Sequence, residues 1–187
     1  MFRVKTFIFS IIVLFFVGCG TDQLVEYAID KAVDEFKTDD TPDEFITEAE
    51  EISKMIERSN EIRAEVFVGS PVSWSLSIAL SAQTHADLLA VNGKLEHSQS
   101  QYGENLFVSF DVANYSDAVN NWYEEKVFYD YASNSCTGGQ ACGHYTQLVW
   151  EESTEVGCGK ATTIDQSATI IVCQYNPPGN YTGESPY

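Results

Sequence analysis

The chain has three histidines, His85, His97 and His144, and imidazole is well suited to binding a transition metal or transferring a proton near neutral pH. His144 lies in the most strongly patterned stretch of the sequence, CGHYTQLVWEES (142–153), where apolar residues follow it. His85 lies among apolar residues of a predicted helix, which favours a structural role. Cys142 stands two residues before His144, but a cysteine nucleophile is rejected because Cys142 is expected to be oxidised, and a disulfide sulfur is not a thiolate.

Several blocks of sequence resemble the signatures of the CAP superfamily, which contains cysteine-rich secretory proteins, insect venom antigens and plant pathogenesis-related class-one proteins. The stretch at 142–153 resembles one signature, and IIVCQYNPPGNY (170–181) resembles the other. The last residues, GNYTGESPY, favour the plant branch. Further blocks lie upstream of these two signatures, in family order: SNEIR (59–63, with Ser59 in place of the usual histidine), HS (97–98), YGENL (102–106) and WYEE (122–125). The resemblance as a whole covers about residues 50–187.

The resemblance implies an α+β fold, a three-layer α–β–α sandwich, with a cleft in which His97, Glu104, Glu125 and His144 converge. We expect His97 and His144 to bind one Zn²⁺ or similar divalent ion, with Glu104 and Glu125 as orienting or water-linked partners. The family spacing selects Glu125 rather than Glu124. A histidine–carboxylate network that only stabilises the fold is the alternative interpretation.

Three functions are compatible with such a cleft. The first is a non-enzymatic binding module whose partner is a lipid, sterol, glycan or protein. The second is a metal-assisted hydrolase in which Glu104 or Glu125 is the catalytic base acting on a metal-bound water. The third is a peptide precursor, because Pro177–Tyr187 resembles a signalling peptide released from the plant relatives. We favour a structural tail over that third possibility.

Residues 1–19 have the features of an export signal. Arg3 and Lys5 precede a short apolar run at 7–17, which is too short to span a membrane comfortably. The residues VGC at 17–19 resemble a bacterial lipobox, in which Cys19 is lipidated and anchors the protein at the outer membrane or cell surface. An ordinary cleaved signal peptide, giving a secreted protein, is the alternative. Residues 20–41 are predicted to be an acidic tether, and residues 42–187 the CAP domain.

Four cysteines remain after Cys19, and an even number in an exported chain favours disulfides. Four cysteines allow three connectivities, which the sequence alone does not separate. We predict Cys136–Cys142, which would close a glycine-containing loop ahead of His144, and Cys158–Cys173, which would join adjacent strands. A zinc site built from these cysteines is disfavoured because their spacing is unlike paired C-x-x-C motifs.

The formal net charge of −18 opposes binding to nucleic-acid phosphates and gives no electrostatic attraction to anionic lipids. Helices followed by strands indicate an α+β fold. His97 and Glu104 are expected on a loop, Glu125 on a helix and His144 just before a strand. The hydrophobic pattern predicts helices at about 75–91 and 116–128, and strands at 145–150, 156–163 and 168–175.

Overall fold

The computed structural model describes the backbone of residues 43–187 and the side chains from residue 48 onward. Residues Glu44–Tyr187 form one structural unit. The predictions for the signal segment 1–19, for Cys19 and for the tether 20–41 lie outside the described residues. No helix in the described part of the chain is long and apolar enough to cross a membrane.

Helices and strands are interspersed along residues 43–187. The helices are α1 (Asp43–Ala64), α2 (Leu76–Asn92), α3 (Tyr115–Glu124) and α4 (Gly143–Leu148), with a 3₁₀ turn at Glu125–Phe128. The strands are β1 (Ser73–Trp74), β2 (Gly103–Ser109), β3 (Tyr129–Asp130), β4 (Ser135–Cys136), β5 (Glu155–Thr162) and β6 (Thr169–Asn176). In this part of the chain, one sheet has the order β1-β5-β6-β2, and β3 pairs with β4 in a small hairpin. Only the β1–β5 pairing of the larger sheet is parallel.

Helices cover both faces of the larger sheet, because successive residues of β6 point to opposite faces and nearly all are buried. On one face α2 contributes to a core of Ala82, Ala86, Leu89, Ala90, Leu106, Ile170 and Val172. On the other face α1, α3 and α4 contribute to a core that includes Met55, Ile62, Val119, Trp122, Leu148, Ile171, Cys173 and Tyr175. This arrangement confirms the α+β class and the three-layer sandwich.

Two glycines of β5 allow α2 to lie against the backbone of the sheet. A Cβ atom added to Gly157 would overlap the backbone of Ala79, and one added to Gly159 would overlap the backbone of Gln83. The Gln83 amide also accepts a hydrogen bond from the Lys160 N–H and donates one to the Lys160 carbonyl, at 2.9 Å each. The position of α2 along β5 is therefore fixed by direct contact with the strand backbone.

The described structure contains both expected disulfides. Cys136 and Cys142 are joined with their Cα atoms 5.6 Å apart, and Cys158 and Cys173 with theirs 4.1 Å apart. Cys158 and Cys173 are direct register partners on β5 and β6. The second disulfide therefore links the two central strands of the sheet.

Replacing both Cys158 and Cys173 by alanine is expected to lower the free energy of unfolding by about 3 kcal/mol, because their separation of 15 residues constrains the unfolded chain. The measurement is urea denaturation. The matched control replaces Cys136 and Cys142, whose separation of 6 residues predicts a smaller loss, about 2 kcal/mol. An unchanged denaturation midpoint for the Cys158/Cys173 variant would contradict the prediction.

The prediction of a strand at 145–150 is wrong, because residues 145–148 belong to α4. The carboxylate of Glu125 accepts hydrogen bonds from the N–H groups of His144, at 2.9 Å, and Tyr145, at 3.3 Å. It thereby satisfies donors that the first turn of a helix leaves unpaired. The helix predicted at 116–128 is α3 followed by the 3₁₀ turn, and Glu125 lies at their junction.

Candidate functional site

The first histidine–carboxylate pair joins the loop before β2 to the start of that strand. His97 Nδ1 lies 2.9 Å from Glu104 Oε1. The His97 side chain is 62% exposed, whereas that of Glu104 is 5% exposed. Glu104 is the second residue of β2, so its expected location on a loop is wrong. The pair presents an accessible imidazole on a buried carboxylate.

Hydrogen bonds keep the Glu104 carboxylate ionised. It accepts from the Ser98 N–H and from Gln174 Nε2, at 2.8 Å each, as well as from His97. Desolvation is the largest single influence and raises the pKa of Glu104, but the hydrogen bonds from Ser98, Gln174 and His97 together outweigh it and leave this pKa below its usual value. A carboxylate whose pKa is lowered is a weaker proton acceptor, so this environment opposes a general-base role.

Gln174 is a site residue that sequence reasoning missed. It is fully buried and is the register partner of Glu104 across β6 and β2. Its Oε1 has no hydrogen-bond partner within the described part of the chain, which costs about 1–3 kcal/mol for a buried polar atom. The amide is oriented by its Nε2, which donates to Glu104 at 2.8 Å and to the hydroxyls of Ser98 and Ser100 at 3.2 and 3.4 Å.

His85 also lies near Glu104. Its Nε2 is 2.8 Å from the carbonyl oxygen of Glu96 and 4.0 Å from Glu104 Oε1. The bond to the backbone carbonyl joins α2 to the following loop. This contact agrees with the structural role expected for His85.

The second pair joins α4 to the end of α3. His144 Nδ1 lies 2.6 Å from Glu125 Oε1, and Oε2 of the same carboxylate accepts from the His144 N–H. The Trp122 ring stacks near the imidazole, with centroids 6.2 Å apart, and Asn105 donates to the His144 carbonyl at 3.0 Å. The His144 side chain remains 34% exposed. His144 is thus held by its backbone, its ring nitrogen and its ring face.

Both pairs leave the same imidazole atom free. In each, the carboxylate faces Nδ1, and Nε2 has no hydrogen-bond partner among the described residues. With Nδ1 as the donor, Nε2 carries the lone pair. A carboxylate at one ring nitrogen is the usual support for a histidine that binds metal through the other. Each of the two histidines therefore has the donor chemistry of a ligand to a divalent transition metal.

The structure does not assemble the expected residues into a preformed metal site. Within the part of the chain that it describes, no group of three or more His, Cys, Asp or Glu side chains is arranged to hold a metal ion. Alternation along β2 places Glu104 and Asn105 on opposite faces of the strand, and Asn105 contacts the backbone of His144. The two pairs are therefore supported by different layers of the sandwich.

The C-terminal tail, residues 177–187, packs against the body of the protein. The Glu151 N–H donates to the Pro186 carbonyl at 2.8 Å. The ring of Tyr187 stacks on that of Tyr131, with centroids 5.0 Å apart. These contacts support the interpretation of the segment as a structural tail.

Comparisons with known proteins agree with the fold and the sequence blocks. The family described as "CAP: Cysteine-rich secretory protein family" matches residues 56–175. Pathogenesis-related protein 1A of Nicotiana tabacum is 45% identical over 133 residues, which cover 71% of this chain and 78% of that protein. The solved structure of BmVAL-1 matches with a TM-score of 0.60 at 22% identity, over 73% of this chain and 81% of the other. The crystal structure of NaASP2 with Zn²⁺ matches with a TM-score of 0.59 at 24% identity, over 74% and 85%. At these identities the two structures show the fold alone.

Proposed function

Because the chain belongs to the cysteine-rich secretory protein (CAP) family, we propose that it is an exported binding module whose His97 and His144 accept a divalent metal ion. The observation that carries this proposal is the shared geometry of the two pairs, in which a carboxylate orients each imidazole and leaves Nε2 free. The module would present these two histidine–carboxylate pairs to a lipid, sterol, glycan or protein partner. Cys19 would anchor the exported protein to a membrane.

Zn²⁺ is the ion that this donor chemistry fits best, because neutral imidazole nitrogens are among its preferred ligands. His97 and His144 would hold it, with Glu104 and Glu125 fixing the orientation of their rings. Bound zinc would supply a positive charge with open coordination positions for an oxygen of the partner. Two imidazoles alone make a weaker site than three or four protein ligands, so we expect binding that competes poorly with strong chelators.

Replacing both His97 and His144 by alanine is expected to abolish Zn²⁺ binding at this site, since both ligand Nε2 atoms are lost. Affinity of the parent should fall in acid, because a protonated imidazole cannot be a ligand. Isothermal titration with zinc chloride measures both effects, and circular dichroism checks the fold. His85→Gln is the matched control, since it removes a histidine outside both pairs. Equal affinity in the double variant and the parent would place the metal elsewhere.

The hydrolase alternative has less support. Both oxygens of Glu104 and both oxygens of Glu125 already accept hydrogen bonds, and Cys142 is held in a disulfide. Ser98 contacts Glu104, but its hydroxyl donates to Ser100, and no serine or cysteine side chain is bonded to either imidazole in the described hydrogen bonds. Loss of a peptide- or ester-cleaving activity in Glu104→Gln or Glu125→Gln, with zinc binding retained, would favour the hydrolase over the binding module.

A further inference from the structure

Large apolar side chains are exposed together at one end of the sandwich. They come from the end of α2 and the loop after it, from β2 and the loop after it, and from the turn between β5 and β6. We call this set the distal apolar surface: Val91, Leu95, Val108, Phe110, Val112 and Ile164. Phe110 is 83% exposed and Ile164 is 75% exposed. Phe110 lines both of two adjoining clefts, of about 490 and 420 Å³, so the surface is continuous. Exposed apolar areas of this kind mark interaction sites.

Carboxylates outnumber ammonium groups by one at the two clefts. Lys94 and Lys160 stand against Asp111 and Asp165, and the Lys160 ammonium also lies 2.8 Å from Glu51. This end therefore shares the negative sign of the chain, whose net charge is −18 overall. A second copy of the chain would bring two such charges together and be repelled. An uncharged lipid surface as the partner avoids that repulsion.

The chain enters the described body at this same end. Glu51, in the first half of α1, reaches Lys160 in one of the clefts. Asn60, near the other end of α1, is bonded to the backbone of Val72, just before β1 and therefore beside the start of β5. The direction of α1 thus places its first residues toward the distal apolar surface. Residues 1–42, with the apolar run and Cys19, precede that point.

We propose that the distal apolar surface docks onto the membrane that the N-terminal segment reaches, with Phe110 and Ile164 inserted among uncharged lipids. The apolar side chains then lose contact with water, as they do when interfacial helices lie on a bilayer. The excess of carboxylates at the clefts favours zwitterionic over anionic headgroups. This inference rests on the proposed membrane anchoring, but it concerns the orientation of the body and is tested separately.

The test attaches the protein to vesicles through its N-terminus and measures which surface contacts the lipid. The chain from Gly20 onward retains both cores, the sheets and both disulfides. With an N-terminal hexahistidine tag it is bound to phosphatidylcholine vesicles that contain a nickel-chelating lipid. Fluorescence of a Phe110→Trp variant is compared between ordinary and brominated phosphatidylcholine. Val68→Trp is the matched control, because Val68 is 97% exposed and follows the far end of α1.

Brominated lipid is expected to quench Phe110→Trp and leave Val68→Trp unquenched. Adding Ile164→Ser to Phe110→Trp should reduce the quenching. Equal quenching of the two tryptophan variants, or quenching of neither, overturns the proposal. Self-association in sedimentation experiments that Phe110→Ser abolishes would also overturn it, by assigning the surface to a second copy.

Anchoring is measured independently, from acyl mass on Cys19 of the full chain. Quenching without acyl mass would retain the docking surface and reject the anchor.

Discussion

Gly159→Ala is expected to lower the free energy of unfolding by about 3 kcal/mol or more, because the new methyl group would overlap the backbone of α2. The obstacle is the Cα and N of Gln83, and main-chain atoms cannot rotate away as a side chain can. To admit the methyl group, α2 must move off β5 and break both hydrogen bonds between the Gln83 amide and Lys160. Gly157→Ala should act in the same way at Ala79.

Urea denaturation of the purified variants measures this effect. Gly143→Ala is the control, because Gly143 is in α4 and its added Cβ would meet nothing closer than 3.9 Å. Alanine at that helical position is expected to be neutral or to stabilise the protein by up to about 1 kcal/mol. A loss in Gly159→Ala no larger than in Gly143→Ala would show that α2 does not touch the strand backbone.

Arg63→Met is expected to lower the free energy of unfolding by about 4 kcal/mol, because it leaves several buried carbonyl oxygens without a donor. Arg63 is 1% exposed, and burial lowers the pKa of its guanidinium to about 10, so the group stays charged at neutral pH. No carboxylate accepts from this guanidinium in the described hydrogen bonds. It donates instead to backbone carbonyls of Ser70, Leu148, Trp150, Glu151 and Ser153.

Arg58→Met on the same helix is the matched control. Arg58 bonds to Asn120 and Glu61 at the surface, where such contacts contribute about 1 kcal/mol or less. The loss of stability in Arg63→Lys should lie between the losses in these two variants. A single ammonium group cannot reach all the carbonyls to which the planar guanidinium donates. Thermal or urea denaturation would refute the assignment if Arg63→Met lost no more stability than Arg58→Met.

The elements that the sequence predicts well are those specified by neighbouring residues. The helix expected at 75–91 is α2, and it ends at Gly93, whose φ of 66° suits glycine. The strands expected at 156–163 and 168–175 are β5 and β6, each within a residue of its predicted bounds. The turn between them contains Gln166 at a positive φ. Turn chemistry and runs of apolar residues are both local signals, so a single sequence carries them.

The features that the sequence does not predict depend on distant partners. The residues of α4 favour a strand by composition, but a carboxylate from the end of α3 satisfies the first turn of a helix. Arg63 matches a family block, yet nothing in its neighbours shows that it binds carbonyls about 90 residues away. The orienting bond from Gln174 to Glu104 follows from the register of β6 against β2. The resemblance supplied four site residues, whereas the division into two pairs required the structure.

Because the C-terminal tail packs against the body of the protein, cutting the chain before the tail would not by itself release the tail. While the backbone is intact, the tail faces its own contact surface at an effective concentration on the order of millimolar. A cut after Asn176 would leave the contacts of Pro186 with Glu151 and of Tyr187 with Tyr131 in place. The same contacts would then hold two molecules together, and their occupancy would depend on dilution. A nicked protein would keep its tail where it is concentrated and lose it where it is dilute.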